Sequence, residues 1–272
     1  MIADVPIGAF LSGGIDSSLT TSLMQEQSMD QIKTFTIGFN QKEFNEADHA
    51  KAVANHLNTD HSERDIDSQD LLNVIPKLSQ LYDEPFGDSS QIPTYLISNF
   101  ARQTVTVALS GDGGDELFCG YNRYKVTDKY WRKLKIIPPF LRRIIGNSLS
   151  KLPPQKIDQM YSFFSRNAQY ANISDKVIKG SSVIASEDIT DLYVGLISAC
   201  KEPNSFVIDG VESNRFLHSK LSLLKNFDDL SFMMLMDLLT YLPDDILTKV
   251  DRAAMGVSLE TRVPMLSHQI VE

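Results

Sequence analysis

Val5-Pro-Ile-Gly-Ala-Phe-Leu-Ser-Gly-Gly-Ile-Asp-Ser-Ser18 carries the decision about the fold. An apolar, β-compatible run from Val5 to Leu11 is cut by Ser12-Gly13-Gly14, and a helical stretch follows from about Ile15 to Gln27. The unit repeats. Lys33 to Phe39 reads as a second strand, and Ala47, Ala50, Val53, Ala54 and Leu57 lie at helical spacing between Glu46 and Leu57. His61 to Ile66 reads as a short strand and Gln69 to Tyr82 as a helix, and Pro93 suits the first turn of a helix ending near Arg102. Thr104 to Leu109 is the clearest strand and runs into Ser110-Gly-Asp-Gly-Gly-Asp-Glu116. Strands alternating with helices predict an α/β fold, a parallel, doubly wound, Rossmann-like sheet with helices on both faces.

After Tyr124 the β-rich runs thin out, and apolar-periodic stretches at Leu221–Leu242 and Asp244–Met255 predict a mostly helical C-terminal half. The division expected is an α/β core over 1–124 and a helical part over 125–272. The chain starts in a strand with almost no leader and ends at Val271-Glu272, soon after the apolar Val263-Pro-Met-Leu266, without a capped helix or a polar tail, so a fragment of a longer protein is expected.

Composition narrows the function classes. In 272 residues, 42% are hydrophobic and 22% charged, which is globular usage. With 26 Lys+Arg against 35 Asp+Glu the net charge is −9, a poor basis for binding nucleic acid. Lys125 to Lys156 does hold nine basic residues against Asp128 alone, read as a solvated face or a protein contact. Cys119 and Cys200 are too few for a disulfide framework and are expected to be buried thiols. The five histidines show no metal-ligand spacing. Asp4, Asp16 and the glycine break do not fit a secretory signal, and no run reaches the ~20 apolar residues of a membrane helix. The expectation is a cytoplasmic protein acting on small molecules, with neither nucleic acid nor membrane as partner.

Both glycine loops follow strands at the carboxyl edge, where open parallel sheets hold ligands. In Ser12-Gly-Gly-Ile-Asp-Ser-Ser18 the glycines permit close backbone approach, and the following helix offers free N–H groups and a partial positive charge to an anion. Neither Gly-Lys-Ser/Thr nor G-x-G-x-x-G is present there, so the usual kinase-like and dinucleotide loops lose support. The blander alternative is a tight turn in which Ser12 caps the helix and Asp16 complements its dipole. In the second loop, Asp112, Asp115 and Glu116 repel one another unless a cation intervenes, and magnesium is the natural one; an acidic surface turn is the alternative.

Leu11-Ser-Gly-Gly-Ile-Asp-Ser-Ser18 resembles the pyrophosphate loop of the N-type ATP pyrophosphatases. Three further segments are similar to the synthetase domain of glutamine-hydrolysing asparagine synthetases. They are Asp83-Glu-Pro-Phe-Gly-Asp-Ser-Ser90, Ser110 to Tyr121, and Leu242-Pro-Asp-Asp-Ile-Leu-Thr-Lys-Val-Asp-Arg252 through Glu260-Thr-Arg-Val-Pro264. The resemblance implies an adenine nucleotide alpha hydrolase-like sheet and an AMP-forming ligase. ATP with Mg2+ would activate the β-carboxylate of aspartate as an acyl-adenylate, pyrophosphate would leave, and ammonia would give asparagine and AMP. By the same resemblance, Ser12, Gly13, Gly14, Asp16, Ser17 and Ser18 would hold the phosphates, and Leu11, Ile37, Ser110 and Gly111 would meet adenine and ribose. Asp16, Asp115 and Glu116 would face the metal, and Asp112 would act near the adenylate. Lys249 and Arg252, one helical turn apart, could both clamp phosphate oxygens; either could be the catalytic cation. An exposed basic patch paired with Asp244, Asp245 and Asp251 is the alternative.

The chain departs from the family pattern at Asp112, where Glu is frequent, at Cys119, where Gly is usual, and at Ser267, where Asp is common. The glutaminase domain that supplies ammonia in glutamine-dependent members is expected in the full-length protein and is missing from this sequence; a homodimer is compatible with the resemblance. Two other readings stay open: an amidotransferase acting on another carboxylate, such as a sugar acid or β-lactam precursor, and a non-catalytic nucleotide-binding module.

Overall fold

The computed structural model describes residues 3–39, 46–153, 156, 180–181, 183–198, 208–210 and 227–272. Its first unit groups Met1–Gly120 with Met236–Glu272. Along the chain come β1 (Ile7–Phe10), α1 (Ile15–Glu26), β2 (Lys33–Phe39), α2 (Ala47–Leu57), β3 (Asp60–Ile66), α3 (Ser68–Leu81), α4 (Gln91–Arg102), β4 (Val107–Leu109) and α5 (Gly114–Leu117). The five strands, including a C-terminal β5 (Glu260–Arg262), pair in the order β3-β2-β1-β4-β5, all parallel.

Alternation along β1 explains why both faces are covered. Ile7 and Ala9 pack with Met24 of α1 and with Ile32, Val107 and Leu109, and Leu11 packs with Ala50 and Ala54 of α2. Phe10 joins the opposite cluster, where Phe35, Ala101, Val105, Ala108, Ala254 and Leu259 are buried. Phe35 meets Phe100 edge to face at 5.9 Å. α3 and α4 cover the β2–β3 side of that face through Val74, Tyr95 and Leu96 against Ile66. The sheet is thus doubly wound, as the strand-helix alternation predicts.

Several boundaries differ from the sequence reading. The strand expected over Val5–Leu11 is confined to Ile7–Phe10. The one expected from Thr104 starts only at Val107, because the Thr104 and Val105 N–H groups still bond Ala101 O at the end of α4. The C-terminal part is not purely helical: β5 pairs along β4, and the Ser110 N–H extends that ladder to Arg262 O at 2.9 Å.

Residues Tyr121–Leu235 form the second unit, with α6 (Asn122–Leu134), α7 (Pro139–Ser150), α8 (Ile189–Ile197) and most of α9 (Asp229–Leu239). Tyr124 and Tyr193 are fully buried with ring centroids 6.3 Å apart, and Arg142 lies over Trp131 at 5.0 Å. The basic stretch is partly neutralised within this unit: Arg132 pairs with Asp128, Lys135 with Asp229, and Arg143 with Glu187. Residues 221–226 of the expected Leu221–Leu242 helix, together with Cys200 and His218, lie outside the described residues.

In place of one helix over Asp244–Met255, a π-helical turn (Leu242–Leu247) precedes α10 (Thr248–Met255). A 3-10 turn at Pro264–Leu266 and α11 (His268–Val271) follow β5. Among the described residues, no helix is long and apolar enough to cross a membrane.

Candidate active site

The loop between β1 and α1 is closed by its own serines. The Ser12 and Ser17 hydroxyls are 2.9 Å apart, Ser17 Oγ also accepts from Ser12 N–H at 3.2 Å, and Gly14 N–H donates to Ser12 Oγ at 3.2 Å. Gly13 has a φ of +81°, and a Cβ there would come within 2.7 Å of the Ala50 nitrogen, so the turn needs glycine. Gly14 occupies the N-cap of α1 with no side-chain cap, leaving the first-turn N–H groups available to an anion. Ser12 therefore shapes the loop instead of capping the helix.

The loop after β4 is wedged against this one. A Cβ on Gly111 would lie 2.8 Å from Ser17 N, and one on Gly114 would overlap the Asp16 carboxylate. Only hydrogen-sized side chains let the two backbones meet, and the meeting brings Asp16 towards Asp115. Burial raises the Asp16 carboxyl above its ordinary value, and the negative charge of Asp115 adds to the rise.

Both loops open onto a cavity of about 690 Å³ beyond the carboxyl ends of the strands. Among the residues lining it are Leu11, Ser12, Gly14, Asp16, Ser17, Ile37, Ser110, Gly111, Asp112, Asp115 and Lys249. The sequence-derived site therefore converges, with four exceptions. Gly13 and Ser18 support the loop from behind, and neither lines the cavity. Glu116 is 1% exposed and does not line it either. Consecutive residues of a helical turn diverge by about 100°, so α5 presents Asp115 to the cavity without Glu116. Among the described residues no group of three or more His, Cys, Asp or Glu is arranged to hold a metal, so the expected three-carboxylate cluster reduces to Asp16 and Asp115. Two carboxylates fit magnesium, which commonly binds through one or two of them together with substrate phosphates.

Arg252 is the fourth exception. It pairs with Asp83 at 2.8 Å, both side chains substantially exposed, and it is absent from the cavity wall. Lys249 is buried, and its Nζ donates to Asp88 Oδ2 at 2.7 Å and to Ser90 Oγ at 2.8 Å. The geometry separates the two cations that spacing alone would place together.

Asp112 lies at the wall with its carboxyl raised: burial dominates over the opposing influence of the Ser110 hydroxyl and the Lys249 charge. Among the described residues that line the cavity, Lys249 is the only basic one, against Asp16, Glu46, Asp112 and Asp115. That imbalance suits a ligand brought in with a metal ion.

Ser90, the last residue of the Asp83–Ser90 segment, also lines the cavity, as do Thr94, Thr36 and Ile97, and the sequence assigns none of them a role. A signal existed for the first. Asp88-Ser-Ser90 before a helix has the composition of an Asx turn, and Ser90 N–H does bond Asp88 Oδ1 at 2.8 Å.

The family model described as Asparagine synthase matches residues 1–272. "Asparagine synthetase [glutamine-hydrolyzing] 1" of Bacillus subtilis (strain 168) is 33% identical over 272 residues, covering 100% of this chain and 40% of that protein. "Putative asparagine synthetase [glutamine-hydrolyzing] 2" of Methanocaldococcus jannaschii is 46% identical over 161 residues, 57% of this chain and 29% of that protein. A putative asparagine synthetase of Mycobacterium bovis is 30% identical over 270 residues, 99% and 39% respectively. The chain thus spans at most about two fifths of the length of these relatives, and it belongs to the asparagine synthase family.

Proposed function

We propose that this chain is the synthetase part of a glutamine-hydrolysing asparagine synthetase, an AMP-forming carbon–nitrogen ligase. One observation carries the reading: two interlocked glycine loops bring an uncapped helix start, Asp16 and Asp115 to one cavity, which Lys249 of α10 also lines. ATP would lie with its phosphates on Ser12, Gly14, Ser17 and the first turn of α1, and with its nucleoside along Leu11, Ile37, Ser110 and Gly111.

A β-carboxylate oxygen of aspartate would attack the α-phosphorus, the bond to pyrophosphate would break, and β-aspartyl-AMP would remain. Ammonia would then add to the acyl carbon, lose a proton and expel AMP. Asp16 and Asp115 would hold magnesium, which supplies neutralisation of the leaving pyrophosphate. Lys249 would provide fixed positive charge to the phosphate oxygens as charge develops there. Asp112, which lines the cavity with a raised carboxyl, would take up the ammonia proton. Ammonia would come from a glutaminase part of the full-length protein, in keeping with the words "glutamine-hydrolyzing" in the names of the relatives, and the whole would work in the cytoplasm.

³¹P NMR of the purified chain with MgATP and ammonium, with and without aspartate, tests this. AMP and pyrophosphate appearing only with aspartate supports it. AMP appearing with a different carboxylate would redirect the acceptor assignment, and ADP with phosphate would overturn the adenylation chemistry.

A further inference from the structure

Lys249 is a buried cation held closely by its neighbours. Its ammonium has three donors, and two are committed, to Asp88 Oδ2 at 2.7 Å and to Ser90 Oγ at 2.8 Å. Ser90 Oγ in turn donates to Asp88 Oδ2 at 2.7 Å, and Ser90 N–H bonds Asp88 Oδ1 at 2.8 Å. The triangle is closed and its geometry is set by one turn before α4. Tyr82 Oη donates to the Lys249 carbonyl at 3.4 Å, so the main chain of Lys249 is tied as well.

We infer that Asp88 is a positioning residue: with Ser90 it fixes the place and direction of the Lys249 ammonium, so that Lys249 presents a fixed positive charge at the cavity wall. The inference rests on the role given to Lys249 above. An Asp–Lys pair joined by the Ser90 hydroxyl leaves a single N–H for a ligand, which fixes direction as well as charge.

The surrounding groups agree. Burial alone would raise the Asp88 carboxyl, yet hydrogen bonds from Lys249 and Ser90 outweigh it and hold it below the ordinary range. Asp112 faces Lys249 across the cavity wall, and its raised carboxyl weakens its claim on the ammonium. Burial, with the charges of Asp88 and Asp245, pushes the Tyr82 phenol up to about 12, so it stays neutral. On α4, the helix packed most extensively on α10, the only ionisable side chains are Tyr95 and Arg102. On β5, Glu260 and Arg262 pair with each other, and on α10 itself Arg252 is taken by Asp83. Asp88 is thus the anion in direct contact with Lys249.

The test follows the lysine itself. In the complete chain labelled with ¹³C-lysine, the Cε resonance lost in Lys249→Arg identifies Lys249, and its titration is followed by NMR. Asp88→Asn should lower its midpoint by about one unit or more, because a buried ammonium loses its counter-charge. Asp88→Glu should leave the midpoint within a few tenths of a unit, as the charge is kept. Ser90→Ala, the milder change should Asp88→Asn not fold, should lower the midpoint by a smaller interval. The alkaline limb of pyrophosphate release should move down with the midpoint in Asp88→Asn, with an approximately tenfold loss above it.

An unmoved midpoint in Asp88→Asn and Ser90→Ala overturns the inference. So does an activity loss equal at all pH values. If the unaltered chain releases no pyrophosphate with aspartate, the functional reading fails, while the lysine titration still decides the role of Asp88.

Discussion

The β1–α1 loop and the β4–α5 loop look alike in sequence, each a Ser-Gly run following a strand, yet they are stabilised by different means. Residues 12–18 are closed from within by the Ser12–Ser17 hydroxyl pair, and their glycine with positive φ backs onto α2. Residues 110–116 depend on neighbours: the ladder to Arg262, the backbone of Asp16 and Ser17 behind Gly111, and Leu266 against Gly113. The first loop is held in shape by its own groups and, on the proposed reading, is a preformed cradle for an anion. The second is a carboxylate-bearing wall whose electrostatics are set by burial.

The largest effect that could break this distinction is at Gly13. Gly13→Ala must adopt a left-handed conformation and push against the Ala50 backbone, so urea unfolding should show a loss of about 2–4 kcal/mol. A loss below about 0.5 kcal/mol would mean the cradle is not preformed.

Asp16→Asn sharpens the contrast by separating stability from binding. It removes repulsion with Asp115, so the chain alone should melt no lower than the unaltered protein. MgATP protection should nevertheless disappear, about 2.7 kcal/mol at a hundredfold excess over Kd, as read by thermal unfolding.

Asp112→Asn tests the buried wall through the sign of a pH dependence. The folded carboxyl binds its proton more tightly than the unfolded one, so its contribution is present below the ordinary carboxylate value and lost as pH rises through the raised value. The variant should therefore be more stable than the unaltered chain at pH 7, with the advantage vanishing in acid. An advantage confined to acid would show that Asp112 ionises easily.

Arg252→Ala is the smallest expected effect and the control outside both loops. Its exposed pair with Asp83 should be worth about 0.5 kcal/mol in denaturant unfolding, with little change in turnover. A hundredfold loss of turnover would put Arg252 back among the catalytic groups.

The central strands were legible because they are short apolar runs bounded by glycine or polar turns, and Lys33–Phe39 matches its expected bounds. β5 was not. Glu260-Thr-Arg262 is polar, three residues long and at the sheet edge, so neither apolar content nor period marks it. Both loops could be found because glycine and acid density after a strand is a local signal. Glu116 and Arg252 lie off the cavity for different reasons: the helical turn points Glu116 away from Asp115, and Arg252 is taken by Asp83, a partner that local spacing does not encode. The bond from Lys249 to Asp88 spans 161 residues, and no local pattern encodes which carboxylate a distant lysine will meet.

The strand order carries a consequence for synthesis. β1 and β4 are hydrogen-bonded neighbours although roughly a hundred residues separate them, and β5 closes the far side of β4 only from the last stretch of the chain. Such long-range parallel pairing makes folding slow relative to local structures. While the ribosome has delivered only the first unit's N-terminal portion, β4 is an open edge and the lysine of the cavity has not been made. The nascent protein consequently passes through a stage with an adhesive strand and an incomplete cavity, when chaperone cover matters most.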